Sequence, residues 1–301
     1  MIFNRSNNTM AKTNSIKQLR HSLSELSAIM YKIYVEWWVS EKHVTESEHI
    51  ACNMYRMMIF KAKSIWLMSK GIIIVRTQKG IIPDPSTMYP VLRSMYELLF
   101  LFRCMFASSR NDKERELLIY LWKIKGNNNL VKMPDEELDN AKQSQKESAQ
   151  DENEKLKSKI WELADELLLS PSITKKIEKQ LTDYPALKGF KFDHFEQSAN
   201  ISDFQPLDFS KDFMGMDLSG VSYIYSHYSA HSHPSYLGVK HFEEMYTNKE
   251  EDKYVKEILE HSCKYLVRFM REFCEYQDSY RLFYGRRERR INNLMNRKSQ
   301  D

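Results

Sequence analysis

Apolar residues recur every three or four positions along most of this chain, a period that predicts helices and not strands. Leu19, Leu23, Leu26, Ile29, Met30, Ile33 and Trp37 form one such stripe. It belongs to a helix that Asn14 or Ser15 can cap and that runs to about Ser40. Thr45 followed by Glu48 has the form of a capping box. It opens a second helix through Met54, Met58, Ala62, Ile65 and Met68, with Gly71–Val75 read as its extension. After the turn at 79–86, Ser86 or Thr87 caps the most apolar long run of the chain, Tyr89–Phe106. Pro90 is tolerated in the first turn of that helix.

Beyond a break at 108–112, a helix over 113–125 is predicted to end at 126–129. Residues 134–169 read as a long charged helix with almost no apolar face, solvent-bridging or partly disordered, packing only through Ile160, Trp161, Leu163 and Leu167. With 172–181 it makes a protruding helical hairpin. Residues 183–218 carry Tyr184, Phe190, Phe192, Phe195, Phe204, Phe209 and Phe213 among polar residues, the pattern of a long loop lying over a core. A short helix over 220–233 stops at Pro234. The last long helix starts near Lys249, bears Val255, Ile258, Leu259, Leu266, Phe269, Phe273 and Tyr276, and breaks at Gly285 before a basic tail. The fold class expected is all-α. It is a multi-helix bundle in a single domain over 1–301, with N-terminal helices in 14–126, a charged hairpin in 134–182, the loop 183–218 and C-terminal helices in 219–301.

Composition supports this. The 301 residues are 42% hydrophobic, enough for a sizeable core, and only 8 Gly and 8 Pro interrupt them. Cys52, Cys104, Cys263 and Cys274 occur singly with no CxxC, so reduced, buried thiols are expected. No secretory h-region opens the chain, and the run Leu98–Phe102 is too short to span a bilayer. A cytoplasmic protein without membrane contact is the expectation. The net charge of +4 implies no particular partner by itself.

Chemistry is concentrated in three places. Arg93 and Glu97 lie four apart on the apolar helix, on one face and close enough to pair. They are an internal ion pair, or a guanidinium oriented by a carboxylate to hold an anion. Tyr225, Ser229 and His233 share one face of the short helix, fit for general acid–base work by the histidine. His227 and His231 share another. With His233 and His241 they offer a metal site, but no cysteine or carboxylate spacing completes a known pattern, so no metal and no cofactor is expected. A di-iron centre needs Glu-x-x-His on two helices, and only Glu46–His49 fits. There is no Walker A loop, no GxGxxG and no GxSxG. The third place is the tail. Arg281, Arg286, Arg287, Arg289 and Arg290 cluster there as contacts for nucleic-acid phosphates, or for an acidic partner.

Arg-Ser-Met-Tyr-Glu at 93–97, followed by Tyr-Ser-His-Tyr-Ser-Ala-His-Ser-His-Pro at 225–234, resembles a bacterial family of unknown function catalogued as DUF5677. The resemblance covers roughly 15–239. Its helical build is similar to that of the HEPN group, which includes metal-independent ribonucleases of bacterial defence and toxin systems. The resemblance implies an endoribonuclease acting on RNA, working as a homodimer or with a protein of the same operon. In the HEPN group an Arg and a His come from one Arg-x(4–6)-His motif. Here none of His194, His227, His231, His233 or His241 has an Arg four to seven residues before it, so the pair would be Arg93 and His233. The rival readings are a non-enzymatic binding or assembly module in which Arg93, Glu97 and His233 form a buried structural network, and a small-molecule sensor with its pocket under the aromatic loop.

Overall fold

The computed structural model describes residues 15–40, 45–71, 83–137, 139–182, 190–192, 204–206, 221–232 and 235–296. The chain is an all-α multi-helix bundle, with ten α-helices among these residues: α1 (Ile16–Ser40), α2 (Glu46–Met68), α3 (Pro85–Phe102), α4 (Asp112–Val131), α5 (Asn140–Glu166), α6 (Pro171–Thr182), α7 (Val221–Ser232), α8 (Tyr236–Thr247), α9 (Glu251–Tyr276) and α10 (Asp278–Met295). A π-helical turn, Arg103–Ala107, prolongs α3. Inside the predicted aromatic loop, β1 (Phe190–Phe192) and β2 (Phe204–Pro206) pair antiparallel, with Phe192 opposite Phe204. The rest of that loop lies outside the described residues.

The helix starts follow local chemistry. Ser15 accepts from the Gln18 amide while Gln18 reaches back to the Ser15 amide. Thr45 and Glu48 do the same, at 3.2 and 3.0 Å. Both are reciprocal capping boxes, each satisfying two amides that the first helical turn leaves without partners. α3 differs from its prediction. The cap is Asp84, whose carboxylate accepts from the Ser86 amide at 3.1 Å, with Pro85 in the first helical position. α2 is not extended through Gly71. It ends at Met68, and Gly71 takes φ 83°, the left-handed conformation that closes helices. α9 and α10 are separated at Gln277, whose extended backbone (φ −130°, ψ 105°) interrupts the helix, while Gly285 continues it.

The chain clusters into two compact units. The first draws on 1–42, 55–99 and 224–301. In it α1, α9 and α10 pack on one another. Ser22 donates to the Leu294 carbonyl and the Trp37 indole to Ser279, so α1 and α10 run antiparallel. Tyr55 donates to the Met30 carbonyl at 2.9 Å, which leaves Tyr280 to donate to Tyr55 across 2.7 Å. Two buried hydroxyls are thereby satisfied with one proton each.

The second unit draws on 43–54 and 100–223. Here α5 corrects the reading of a helix without a packing face. Ala149, Asn153, Leu156, Ile160, Leu163 and Ala164 are buried, a seam at three- and four-residue spacing that faces α4. Lys113 pairs with Glu166, Lys159 lies over the Tyr120 ring and Asn127 bonds Glu152, so the two helices are antiparallel in one continuous register. α4 also runs past Gly126–Asn129, its predicted end. Its asparagines lock the pair: Asn127 donates to Asn153, and Asn153 donates to the buried Asn128 at 3.0 Å. All four cysteines are buried, and none forms a disulfide with another. Among the described residues no helix is long and apolar enough to cross a membrane.

Candidate functional site

The parts of α3 up to Leu99 and of α7 from Ile224 belong to the first unit, and the two sequence motifs meet where they pack. Arg93 Nε donates to Glu97 Oε1 at 2.8 Å, the pair that the i,i+4 spacing predicts. Arg93 Nη1 then donates to Ser229 Oγ at 3.3 Å, across 136 residues of sequence. The pair is not buried outright: the Arg93 side chain is 20% exposed and that of Glu97 33%. Part of each therefore stays in water, and the cost of dehydrating two charges is correspondingly reduced. Lys61 of α2 donates to Ser94 Oγ at 2.5 Å, and its pKa is lowered by burial against a smaller opposing pull from Glu97. Arg93 and Glu97 of α3 and Lys61 of α2 thus bring two basic groups and one carboxylate together beside α7. Tyr225 sits on α7, but its side chain lies outside the described residues, as does His233 altogether.

A second constellation occupies the other face of α7. The His227 and His231 rings are 4.9 Å apart, and His241 of α8 stands 5.2 and 5.6 Å from them. One imidazole nitrogen from each lies within 4.8 Å of the others. Tyr89 of α3 stacks on His231 at 4.7 Å and meets His227 edge-on at 4.9 Å. His231 Nε2 and His241 Nδ1 are buried and make no hydrogen bond. Burial, reinforced by its two neighbouring imidazoles, pulls the His227 pKa down to about 4. Burial and His241 also lower that of His231, against the opposing carboxylate of Asp84. Both rings are therefore neutral at neutral pH.

What brings His241 there is a tight corner. Ser235 caps α8 by accepting from the Gly238 amide, and its hydroxyl donates to the Ala230 carbonyl of α7. A Cβ on Gly238 would stand 2.5 Å from that carbonyl oxygen, so the helices can approach only because this residue is glycine. Gly238→Ala is expected to cost about 1–3 kcal/mol of stability through overpacking. Urea unfolding of the variant checks this, and an unchanged midpoint would refute it. Beside the corner, Ser86, Ala230, His231, Ser232, Ser235, Gly238, Val239 and Phe242 line a groove of about 350 Å³. α7 also bonds α9, where the Tyr228 hydroxyl and His261 Nδ1 lie 2.7 Å apart.

The tail arginines are mostly engaged within the first unit. Arg287 grips both Glu36 carboxylate oxygens at 2.7 Å, and Arg290 pairs with Glu25, both acids on α1. Arg281 donates to the Cys274 carbonyl and lies near Asp278. Arg286 is exposed over the Phe283 ring, and Arg289 is exposed. The guanidiniums of Arg287 and Arg290 thus tie α10 to α1, a role that the cluster of charges did not signal.

In sequence His241 was one of four histidines weighed as metal ligands and set aside. The helix that carries it, α8, was not predicted, because Tyr236, Leu237, Val239 and Phe242 leave its apolar side exposed. Asp84 and His261 gave no signal beyond their residue type. Compared with models of known families, with curated proteins and with solved structures, the chain finds no match.

Proposed function

We propose that the chain is an effector acting on RNA, a metal-independent endoribonuclease centred on the contact between α3 and α7. The observation that carries this reading is the hydrogen bond from Arg93 to Ser229, which joins the Arg93–Glu97 motif to α7. A guanidinium one-fifth exposed and oriented at Nε by a carboxylate is the group that would meet a phosphate oxygen and the charge that develops on it. His233 would take the proton of the ribose 2′-hydroxyl, with Glu97, Tyr225 and Ser229 positioning the two groups. Arg286 and Arg289 are the tail residues suited to add phosphate affinity, since Arg287 and Arg290 bond acids of α1.

The test is RNA cleavage by tag-free protein in EDTA. Arg93→Ala and His233→Ala should each lower the rate by about 100-fold or more. Cleavage that persists in both variants would sink the assignment. One observation favours a second reading, a purely structural network: Arg93 already bonds both Glu97 and Ser229. On that reading Arg93→Ala lowers the melting temperature strongly and no cleavage is found in the wild type.

A further inference from the structure

We propose that His227, His231 and His241 form a binding site for a divalent transition metal, zinc in the first place, with a fourth coordination position open to the groove beside α8. Three imidazoles from two helices converge, with one nitrogen of each within 4.8 Å of the others. Two of the ring nitrogens, His231 Nε2 and His241 Nδ1, are buried without a hydrogen bond. A buried polar atom left without a partner is costly, and a metal ion satisfies a lone pair as well as a proton donor does.

The donor set selects the metal. Imidazole nitrogen suits zinc, copper, nickel and iron, whereas magnesium and calcium seek oxygen ligands that this trio lacks. Zinc–nitrogen bonds of about 2.0–2.1 Å in a tetrahedron place ligand nitrogens about 3.3 Å apart. The three nitrogens, within 4.8 Å of one another, would draw in to that spacing on binding. Structural zinc sites use four protein ligands, and catalytic ones three plus a solvent position. Three imidazoles beside a groove lined by His231, Ser232 and Ser235 fit the second kind.

The surroundings favour a cation. The Asp84 carboxylate acts on His231 in the direction of positive charge. It is held by the Ser86 and Thr87 amides at the start of α3. None of this uses Arg93, Glu97 or Ser229, so the site stands or falls apart from the ribonuclease reading.

Tag-free protein stripped with EDTA and dialysed would be titrated with zinc by calorimetry and with cobalt by visible absorption. One equivalent should bind, with a Kd below about 1 μM and cobalt bands of tetrahedral intensity. His227→Ala and His241→Ala should each weaken binding about 100-fold, while Arg93→Ala leaves it unchanged. Azide should shift the cobalt bands by entering the open position. Failure of the wild type to bind at 100 μM metal, or binding that survives both histidine variants, would overturn the site. An unchanged cobalt spectrum in azide would overturn the open fourth position. Circular dichroism establishes that each variant is folded, and the wild-type cobalt spectrum decides the matter if one is not.

Discussion

Trp37→Ala is expected to lower the unfolding free energy by about 3–5 kcal/mol. Trp37 is 1% exposed and sits where α1, α9 and α10 converge. Phe273 of α9 meets its ring edge-on at 5.2 Å, Tyr280 of α10 does so at 6.0 Å, and its Nε1 donates to Ser279 at 2.9 Å. Alanine removes a large apolar surface from a close-packed site between three helices that cannot collapse independently, so a cavity term adds to the transfer term. Trp37→Phe keeps most of the ring and loses the indole donor, and should cost less. Trp161→Ala is the contrast: that side chain belongs to the second unit, is 37% exposed, and should cost under about 1.5 kcal/mol. Urea unfolding at pH 7.5 measures all three. A loss below about 1.5 kcal/mol for Trp37→Ala would show that the three helices are not held together at this residue.

Trp37 was legible because a stripe at three- and four-residue spacing is a local signal, and every apolar residue of the α1 stripe is buried as that spacing requires. Caps are local too: Ser15 caps α1, and Thr45 with Glu48 forms the box that their spacing announces. The errors lie where a tertiary partner decided the outcome. Gly126 and the three asparagines after it look like a helix end, yet they continue α4 because Asn127 and Asn128 bond across to α5. The seam of α5 went unseen since three of its members, Ala149, Asn153 and Ala164, are small or polar, and the place of Asn153 makes sense only once the facing asparagines are known. Arg287 and Arg290 read as free charge because their acids lie some 250 residues away on α1.

The candidate site divides in the same way. Arg93–Glu97 follows from spacing alone. The approach of Ser229 to Arg93 depends on how α3 packs on α7, and the addition of His241 to His227 and His231 depends on a glycine corner that no periodicity announces. Sequence showed which residue types were present for each centre; only packing decided that α7 serves two of them, with Ser229 turned to one and His227 and His231 to the other.

The same packing makes the fold acid-sensitive, and the second large effect is expected there. Burial, helped by the positive charge of Lys264, pulls the His261 pKa down to about 4, from an unfolded value near 6.5. Between those values the unfolded chain binds a proton that the folded chain refuses. Stability contributed by the neutral ring is therefore complete above about pH 6.5 and is lost as pH falls towards 4. A shift of that size corresponds to about 3 kcal/mol, reduced to about 2–3 because the ring is partly exposed. Around it stand Tyr228, 2.7 Å from Nδ1, and Tyr265, stacked at 6.2 Å, both with hydroxyl pKa values raised chiefly by burial, so both keep their protons. One turn back on α9, Glu257 is raised by burial and by Glu260, and its linkage has the opposite sign, weakening the fold as pH rises through that carboxyl's own range. His227 repeats the sign of His261. The wild-type profile is the sum of these groups, so the informative quantity is a difference. His261→Gln keeps a polar partner for Tyr228 and cannot charge. Its unfolding free energy should vary less steeply with pH than that of the wild type between pH 4.5 and 6.5, by up to about 1.4 kcal/mol per unit, and run parallel to it above pH 7. Parallel profiles across the whole range would mean that His261 takes up its proton in the folded chain as readily as in the unfolded one.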